Sequence, residues 1–193
     1  MLDRWNRPSV ITAAFSPDGR SIVTGDHDGN VTVWNAATLE KERRFSVNTS
    51  VVAGLAFGPN GLFVTAGEDG TARVWDFDTG EERLTLRGHT ARINQVAVSS
   101  DGARIATSSD DSTVRLWDSA TGEEVLTLLG HSYLVSGVDF SPDGRLLATA
   151  SPDGTAALHL LPIDELVELA RGRVTRGLTD DECRQYLHLE HCP

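Results

Sequence analysis

A strand-rich segment of constant length recurs along this 193-residue chain, and its period constrains the fold more than any other feature. The first hairpin turn of the four copies contains Gly19, Gly61, Gly102 and Gly144. These glycines are separated by 42, 41 and 42 residues. The third strand of each copy ends near Trp34, Trp75, Trp117 or His159. A period of about 40 to 45 residues with several short strands per unit is typical of the blades of a β-propeller.

Each copy contains four short apolar segments separated by turn residues. In the first copy these segments are Val10 to Phe15, Ser21 to Thr24, Val31 to Trp34 and Glu42 to Val47. The turn between the first two reads Ser-Pro-Asp-Gly, in which proline presets φ and glycine accepts a positive φ. We therefore predict an all-β chain in which each repeat is a four-stranded antiparallel meander.

Two dipeptide signatures identify the repeat more closely. Gly88-His89 and Gly130-His131 precede the first strand of their copies, and Trp75-Asp76 and Trp117-Asp118 end the third strand. Over residues 6 to 160 the chain resembles the WD-repeat, or beta-transducin, propeller family. The resemblance implies four blades within residues 1–161, at about 6–46, 47–87, 88–129 and 130–161, followed by a separate tail at 162–193.

The resemblance also implies a buried hydrogen-bond network in each blade, formed by His, Thr, Asp and Trp. The third blade has all four members in His89, Thr107, Asp111 and Trp117. The members in the other blades are Thr65, Asp69 and Trp75 in the second, Thr24, Asp28 and Trp34 in the first, and His131, Thr149 and Asp153 in the fourth. Asn6 and Asn48 stand at the His position of blades 1 and 2. His159 replaces tryptophan in blade 4, so this blade is expected to pack less tightly and to fray first.

His89, Asp111 and Thr107 are also the residue types of a hydrolase triad. A triad is defined by geometry and requires an accessible nucleophile. The resemblance implies that this hydroxyl is buried inside the blade. We therefore interpret the three residues as structural and predict no catalytic residue.

Four blades are few for a family that usually closes with seven. Three arrangements are open: a tight four-bladed ring, an open arc, and two chains that pair into eight blades. We favour the open arc for the isolated chain, because an unpartnered end blade exposes an apolar sheet face. Leu2 to Trp5 either supplies the fourth strand of the last blade or is the end of an upstream repeat.

The pattern changes at Leu161-Pro162 from strand to helix periodicity. Ile163 to Ala170 has one apolar face, and Thr179-Asp180-Asp181-Glu182 is a helix-start signature, so we predict a two-helix tail. It resembles the ending of large bacterial WD-repeat signalling proteins. The tail contains four residues of zinc-ligand type, Cys183, His188, His191 and Cys192. Their spacing matches no familiar finger, so we predict no metal; a Cys183–Cys192 disulfide is an alternative role for the cysteines.

The composition limits the classes of ligand that we expect for this chain. The net charge is −11 and the isoelectric point is about 4.9, which argues against nucleic acid or an anionic membrane as ligand. The N-terminus lacks the apolar core of a signal peptide, so a soluble cytoplasmic protein is expected. Lys41 is the single lysine among 17 basic residues, a bias that hints at a GC-rich bacterial genome.

The repeats favour a non-enzymatic interaction scaffold or sensor that needs no cofactor and holds a protein or peptide at the loop-bearing end of the blades. The alternatives are a self-assembling structural module or homo-oligomer, a piece of a larger propeller, and a propeller hydrolase. Tyr133 and Arg92 are of the types most often found as interface anchors. The candidate partner-binding residues are Arg7, Asp26, His27, Ser50, Glu68, Arg92, Asp110, Tyr133 and Pro152.

Overall fold

Four antiparallel β-sheets follow one another along the chain in the computed structural model, which describes residues 9–47 and 51–161. The first three sheets have four strands each and the fourth has three. The all-β prediction is confirmed for these residues. Four strands per blade are confirmed for the first three sheets, and a fourth strand in the last sheet stays a prediction because its candidate segment is not among the described residues. The two-helix tail and the segment Leu2 to Trp5 lie outside the described residues.

The strands are numbered in chain order, and neighbours in sequence are neighbours in the sheet. Blade 1 contains β1 (Val10–Phe15), β2 (Ser21–Asp26), β3 (Asn30–Asn35) and β4 (Lys41–Ser46). Blade 2 contains β5 (Val52–Phe57), β6 (Leu62–Gly67), β7 (Thr71–Asp76) and β8 (Glu82–Arg87). Blade 3 contains β9 (Ile93–Val98), β10 (Arg104–Ser109), β11 (Val114–Asp118) and β12 (Glu124–Leu128). Blade 4 contains β13 (Gly137–Phe140), β14 (Leu146–Ala150) and β15 (Ala156–Leu160).

The first hairpin turn of blades 1, 3 and 4 is closed by its own side chains. In blade 1 the Ser16 hydroxyl donates to the Asp18 carboxylate at 2.6 Å and accepts the Ser21 backbone N–H at 2.9 Å. Gly19 has a φ of 68°, the left-handed conformation that glycine adopts without steric cost. The Ser-Pro-Asp-Gly sequence therefore fixes both the bonds and the backbone of the turn.

The turn between the third and fourth strands depends on the residue after tryptophan. The Asp118 carboxylate accepts the backbone N–H groups of Ala120 and Thr121 at 3.0 and 2.9 Å. The left-handed position of this turn is Gly122, with a φ of 75°. In blade 1 the same position is Leu39, with a φ of 60° and half of its surface exposed. This turn of blade 1 is therefore strained relative to its counterparts.

Neighbouring blades bury their sheet faces against each other. Trp75 of blade 2 packs in one apolar cluster with Val33 and Val47 of blade 1. Trp117 of blade 3 packs in a second cluster with Val74 and Leu86 of blade 2. Successive side chains of a strand point to opposite faces of the sheet. The tryptophan therefore lies on the sheet face that packs against the preceding blade, and valine or leucine lies on the face that packs against the following blade.

Among residues 9–47 and 51–161, nothing packs over the outer face of either end blade. Leu158 of β15 is 72% exposed, whereas Val33, Val74 and Leu116 at the same register are almost fully buried by a following blade. On the opposite face of the array, Phe15 of β1 is 66% exposed. Both exposures are those expected at the ends of an open arc.

Candidate functional site

The network of blade 3 is a continuous chain of hydrogen bonds that joins β10 and β11 to the loop before β9 and to the turn after β10. The Trp117 Nε1–H donates to Thr107 Oγ1 at 2.9 Å. His89 Nε2 lies 2.7 Å from Thr107 Oγ1, and His89 Nδ1 lies 2.8 Å from Asp111 Oδ2. Because the carboxylate can only accept, a neutral His89 carries its proton on Nδ1, and Thr107 donates its hydroxyl proton to Nε2. Each member then has a partner, which stabilises one strand register.

Burial and charge set the protonation of this pair. The side chain of His89 is fully buried, and this burial lowers its pKa against the opposing effect of Asp111. Burial also acts on Asp111, where it opposes ionisation. Hydrogen bonds from Thr113, His89 and the Thr90 backbone outweigh it and lower the pKa of Asp111 to about 2. At neutral pH the pair is therefore a neutral imidazole and a carboxylate.

Blades 2 and 3 share the same carboxylate turn. Asp111 Oδ1 accepts the Thr113 backbone N–H at 3.0 Å and its hydroxyl at 2.6 Å. Asp69 accepts the same two bonds from Thr71 at 2.9 and 2.7 Å. The Trp75 Nε1–H donates to Thr65 Oγ1 at 3.0 Å. Asn48, at the His position of blade 2, lies outside the described residues.

Blade 1 uses a different carboxylate. The Trp34 Nε1–H donates to Thr24 Oγ1 at 3.0 Å, as in the other blades. The turn bonds, however, are accepted by Asp26, from the Asp28 and Asn30 backbone N–H groups at 2.9 Å each. Asp28, assigned to the network by sequence, is exposed, whereas Asp26, assigned to the partner-binding surface, is 4% exposed. A sequence signal exists: asparagine replaces the threonine that follows Asp69 and Asp111 by two residues.

In blade 4 the network is kept but its tryptophan is replaced. His131 Nε2 lies 2.8 Å from Thr149 Oγ1, and His131 Nδ1 lies 3.2 Å from Asp153 Oδ2. His159 Nε2 lies 3.3 Å from Thr149 Oγ1 and thus takes the place of an indole nitrogen. Burial, and then the nearby His131, lower the pKa of His159.

His, Asp and Thr are hydrogen-bonded to one another as in a hydrolase triad, but the threonine hydroxyl is not accessible to a substrate. Thr107 is fully buried, and its oxygen already accepts the Trp117 N–H. A substrate carbonyl has no path to this oxygen, and a nucleophile must reach its substrate. The network therefore stabilises the blade.

The turn after the second strand of each blade lies at one end of its sheet. The backbone N–H of Glu68 donates to the Val51 carbonyl at 3.2 Å, and that of Asp110 to the Arg92 carbonyl at 2.9 Å. Proline cannot donate this bond at position 152, and there the Ser151 hydroxyl donates to the Leu134 carbonyl at 2.7 Å, as the Ser109 hydroxyl does to the Arg92 carbonyl at 2.8 Å. These turns and the loops that enter the first strands form what we call the loop end.

Neighbouring blades meet at their loop ends. The Asn94 side chain donates to the Val135 carbonyl of the next blade at 3.0 Å and to the Asp110 carboxylate at 2.7 Å. A Cβ on Gly70 would lie 3.0 Å from the Ala91 carbonyl oxygen of the following blade. The loop ends of blades 2, 3 and 4 are therefore brought side by side.

The predicted partner-binding residues differ in their accessibility. Arg92 is half-buried, and its Nε is buried without a hydrogen-bond acceptor in the described part of the chain. Arg7 and Ser50 lie outside the described residues, and Asp26 is buried. Five of the predicted residues are exposed at the loop end: His27, Glu68, Asp110, Tyr133 and Pro152.

Within 9–47 and 51–161, no group of three or more His, Cys, Asp or Glu side chains is arranged to hold a metal ion. In the same ranges there is no helix of sufficient length and apolar character to cross a membrane. The predicted zinc-type residues of the tail lie beyond these ranges.

The repeats match the family described as WD domain, G-beta repeat, at residues 5–35, 39–76, 80–118 and 122–159. These ranges cover most of the chain, and the protein belongs to the WD-repeat family. The matched unit is offset from the blade. For example, the match at 39–76 contains β4, which is the outer strand of blade 1, together with β5, β6 and β7 of blade 2.

Curated relatives come from several eukaryotes. The chain is 38% identical over 97 residues to WD repeat-containing protein SL1-17 of Schistosoma mansoni, which covers 50% of this chain and 32% of that protein. It is 42% identical over 64 residues to Protein HIR1 of Candida albicans, covering 33% and 7%. It is 30% identical over 95 residues to the transcriptional corepressor LEUNIG_HOMOLOG of Arabidopsis thaliana, covering 48% and 12%. The chain thus spans at most about a third of the length of these relatives.

Proposed function

We propose that this protein is a non-enzymatic interaction module that holds a protein partner at its loop end. The proposal is supported by a difference between two groups of polar residues: the buried ones bind one another, and the exposed ones are open to solvent. His89, Thr107 and Asp111 satisfy one another inside the blade, whereas Glu68 and Asp110 face solvent at the same end. Exposed polar residues on turns that a rigid scaffold fixes are a common basis of recognition.

The charge of the loop end favours a partner with basic residues. Asp28, Glu68 and Asp110 are exposed there, and the described arginines near it are less available. Arg92 is half-buried, and Arg44 pairs with Asp26 at 2.9 Å. Complementary charge increases association rate and specificity. Tyr133, 58% exposed, supplies an aromatic contact beside this acidic surface.

A cytoplasmic, bacterial signalling context is part of this proposal. It is supported by the arginine bias and by the resemblance of the tail sequence at 162–193. The eukaryotic relatives concern the repeats, which are shared widely in the family. Nucleic acid and membranes are not proposed as ligands, because of the net charge of −11.

Two double variants test the proposal. Both replace two acidic residues by lysine, one pair at the loop end and the other at the opposite end of the sheets. A partner is captured from cell extract with the full chain, and the purified pair is then titrated. Glu68→Lys with Asp110→Lys should weaken binding at least about tenfold. Glu81→Lys with Glu123→Lys, at the opposite end of the sheets, should leave binding unchanged. Equal effects of both pairs would contradict the loop end as the binding surface.

Self-association is a second candidate, favoured by the exposed end faces. Phe15 on blade 1 and Leu158 on blade 4 lie on faces that are buried between blades elsewhere in the array. Head-to-tail pairing of copies through these faces would bury both. Mass as a function of concentration distinguishes this candidate from a monomeric interaction module.

A further inference from the structure

A cleft lies between the outer part of blade 3 and the strand β15 of blade 4. Its volume is about 290 Å³. One wall is apolar, with Val114 and Leu128, and the other contains Gly130, Ala157 and His159. We call it the blade-4 cleft.

The same position between blades 2 and 3 is filled by an indole ring. Trp117 is 1% exposed and belongs to one buried cluster with Ala72 and Leu86. One period of 42 residues further along the chain, Val114 and Leu128 replace these two wall residues, and His159 replaces Trp117. The apolar wall is therefore repeated, and the ring that would cover it is absent.

The backbone beside the cleft also differs between blades 3 and 4. A Cβ built on Gly88 would lie 3.1 Å from Cη2 of Trp117. Gly130 is the equivalent glycine of blade 4, and a Cβ built there would meet no atom within 4 Å. Gly130 has a φ of 144°, a conformation that Gly88 does not share, so the two Cβ positions point in different directions, and the open space beside His159 is shown by the cleft itself.

The chemistry of the cleft favours a flat apolar ring. The hydrogen-bond requirement of Thr149 is already met by His131 and His159, at 2.8 and 3.3 Å. The remaining surface consists mainly of aliphatic side chains and the imidazole of His159, on which an aromatic ring can stack. Leu129, at the rim of the cleft, is 75% exposed, so the cleft is reached from solvent.

We propose that the blade-4 cleft binds the tryptophan side chain of a partner polypeptide, with the indole inserted between the Val114–Leu128 wall and His159. Blades 2 and 3 supply the argument for this occupant, because Trp75 and Trp117 fill the same kind of space against the preceding blade. The inference rests on the proposed function as a protein-interaction module. It adds a second contact surface and states the chemistry of the residue that the surface receives.

The probe is N-acetyl-tryptophanamide, titrated into the full ¹⁵N-labelled chain and followed by amide chemical shifts. Saturable shifts are expected at Gly130 and Ala157. N-acetyl-leucinamide should bind at least about tenfold more weakly, because it has no ring to stack. The absence of a saturable shift at these amides with the tryptophan probe would overturn the proposal.

Variants then test the location. His159→Trp supplies the ring from the chain itself and should abolish probe binding, and Ala157→Leu should do so by filling the cleft from β15. Phe15→Ser removes an exposed aromatic side chain at the far end of the array and should leave binding intact. Binding that survives in both folded cleft variants, or that is lost in Phe15→Ser, would show that the probe binds elsewhere.

The titration needs no partner, so its failure is distinguishable from failure of the proposed function. A negative titration together with loss of partner binding in the Glu68 and Asp110 variant would reject the cleft and keep the loop end. A positive titration with no effect of that variant would keep the cleft and reject the loop end.

Discussion

Thr107 is the residue on which the network of blade 3 depends, since its hydroxyl accepts from Trp117 and donates to His89. Thr107→Val keeps the shape but leaves an indole N–H and an imidazole nitrogen without partners. We expect a loss of unfolding free energy of about 2 kcal/mol, the usual cost of unsatisfied buried polar groups. Denaturant titration measures it.

Thr127→Val is the matched control, because its hydroxyl pairs with Glu124 on the exposed outer strand of the same blade. Its effect should be within about 0.5 kcal/mol. Equal losses in the two variants would mean that the buried network contributes nothing specific.

Protonation of His89 links stability to pH. Its pKa in the folded state lies below the ordinary value of 6.5, so between these two values the unfolded chain binds more protons. Stability should therefore fall as pH drops below about 6.5, and His159 acts in the same sense. Melting temperature measured from pH 8 to 5 should decline, and the slope should be smaller in His89→Asn.

Asp111 governs a second, more acidic range. Because its pKa is about 2 in the folded state and higher in the unfolded chain, the stabilisation it gives is complete above about pH 4. It is lost progressively as pH falls toward 2.

For the His89 prediction, a His89→Asn melting curve that kept the full decline between pH 8 and 5 would assign that decline to other groups.

At the scale of the turn, Leu39 offers a stabilising substitution. Leu39 has a φ of 60° and lies at the turn position that is glycine in the next two blades, where Gly80 and Gly122 each have a φ of 75°. Leu39→Gly removes the steric cost of a left-handed conformation, about 1 kcal/mol or more, and adds a smaller entropy cost of glycine in the unfolded chain. We expect a higher denaturation midpoint, and Leu39→Pro, which cannot adopt this φ, should lower it.

At the scale of the blade, the fourth sheet should open first. It has three strands among the described residues, Leu158 is 72% exposed, and the cleft beside His159 weakens its packing on blade 3. Amide hydrogen exchange should therefore be faster in β13 to β15 than in β5 to β12. Slower or equal exchange in blade 4 would contradict the role assigned to the missing tryptophan.

Sequence reasoning predicted the blades well, because turn glycines and tryptophan spacing are local signals of a repeated unit. It failed at Asp26 and Asp28, where two carboxylates two residues apart compete for one turn and the choice depends on Asn30 and Arg44. The cleft was foreseen as looser packing beside His159, but not as a space of defined size. Its size depends on how the side chains of two neighbouring blades pack against each other, which local sequence signals do not specify.

At the scale of the whole molecule, the exposed end faces of blades 1 and 4 make the proposed self-association testable. If copies pair through blades 1 and 4, the mass from light scattering should rise from 20.8 kDa over a hundredfold range of concentration. Phe15→Asp and Leu158→Asp should each reduce this rise, since each buries a charge at the paired face. A constant monomer mass with binding of a hydrophobic dye would leave an open arc with uncovered ends.

The offset between the matched repeat and the sheet has a consequence for how such chains lengthen. A genetic duplication that inserts one whole repeat, such as 39–76, adds an outer strand to the blade before it and three strands to a new blade. Because the inserted repeat contributes strands to two sheets, the new blade is covalently linked to the preceding blade within a single repeat. However many copies accumulate, the last blade still needs an outer strand from a segment beyond its own repeat, and within residues 9–47 and 51–161 the fourth sheet has three strands.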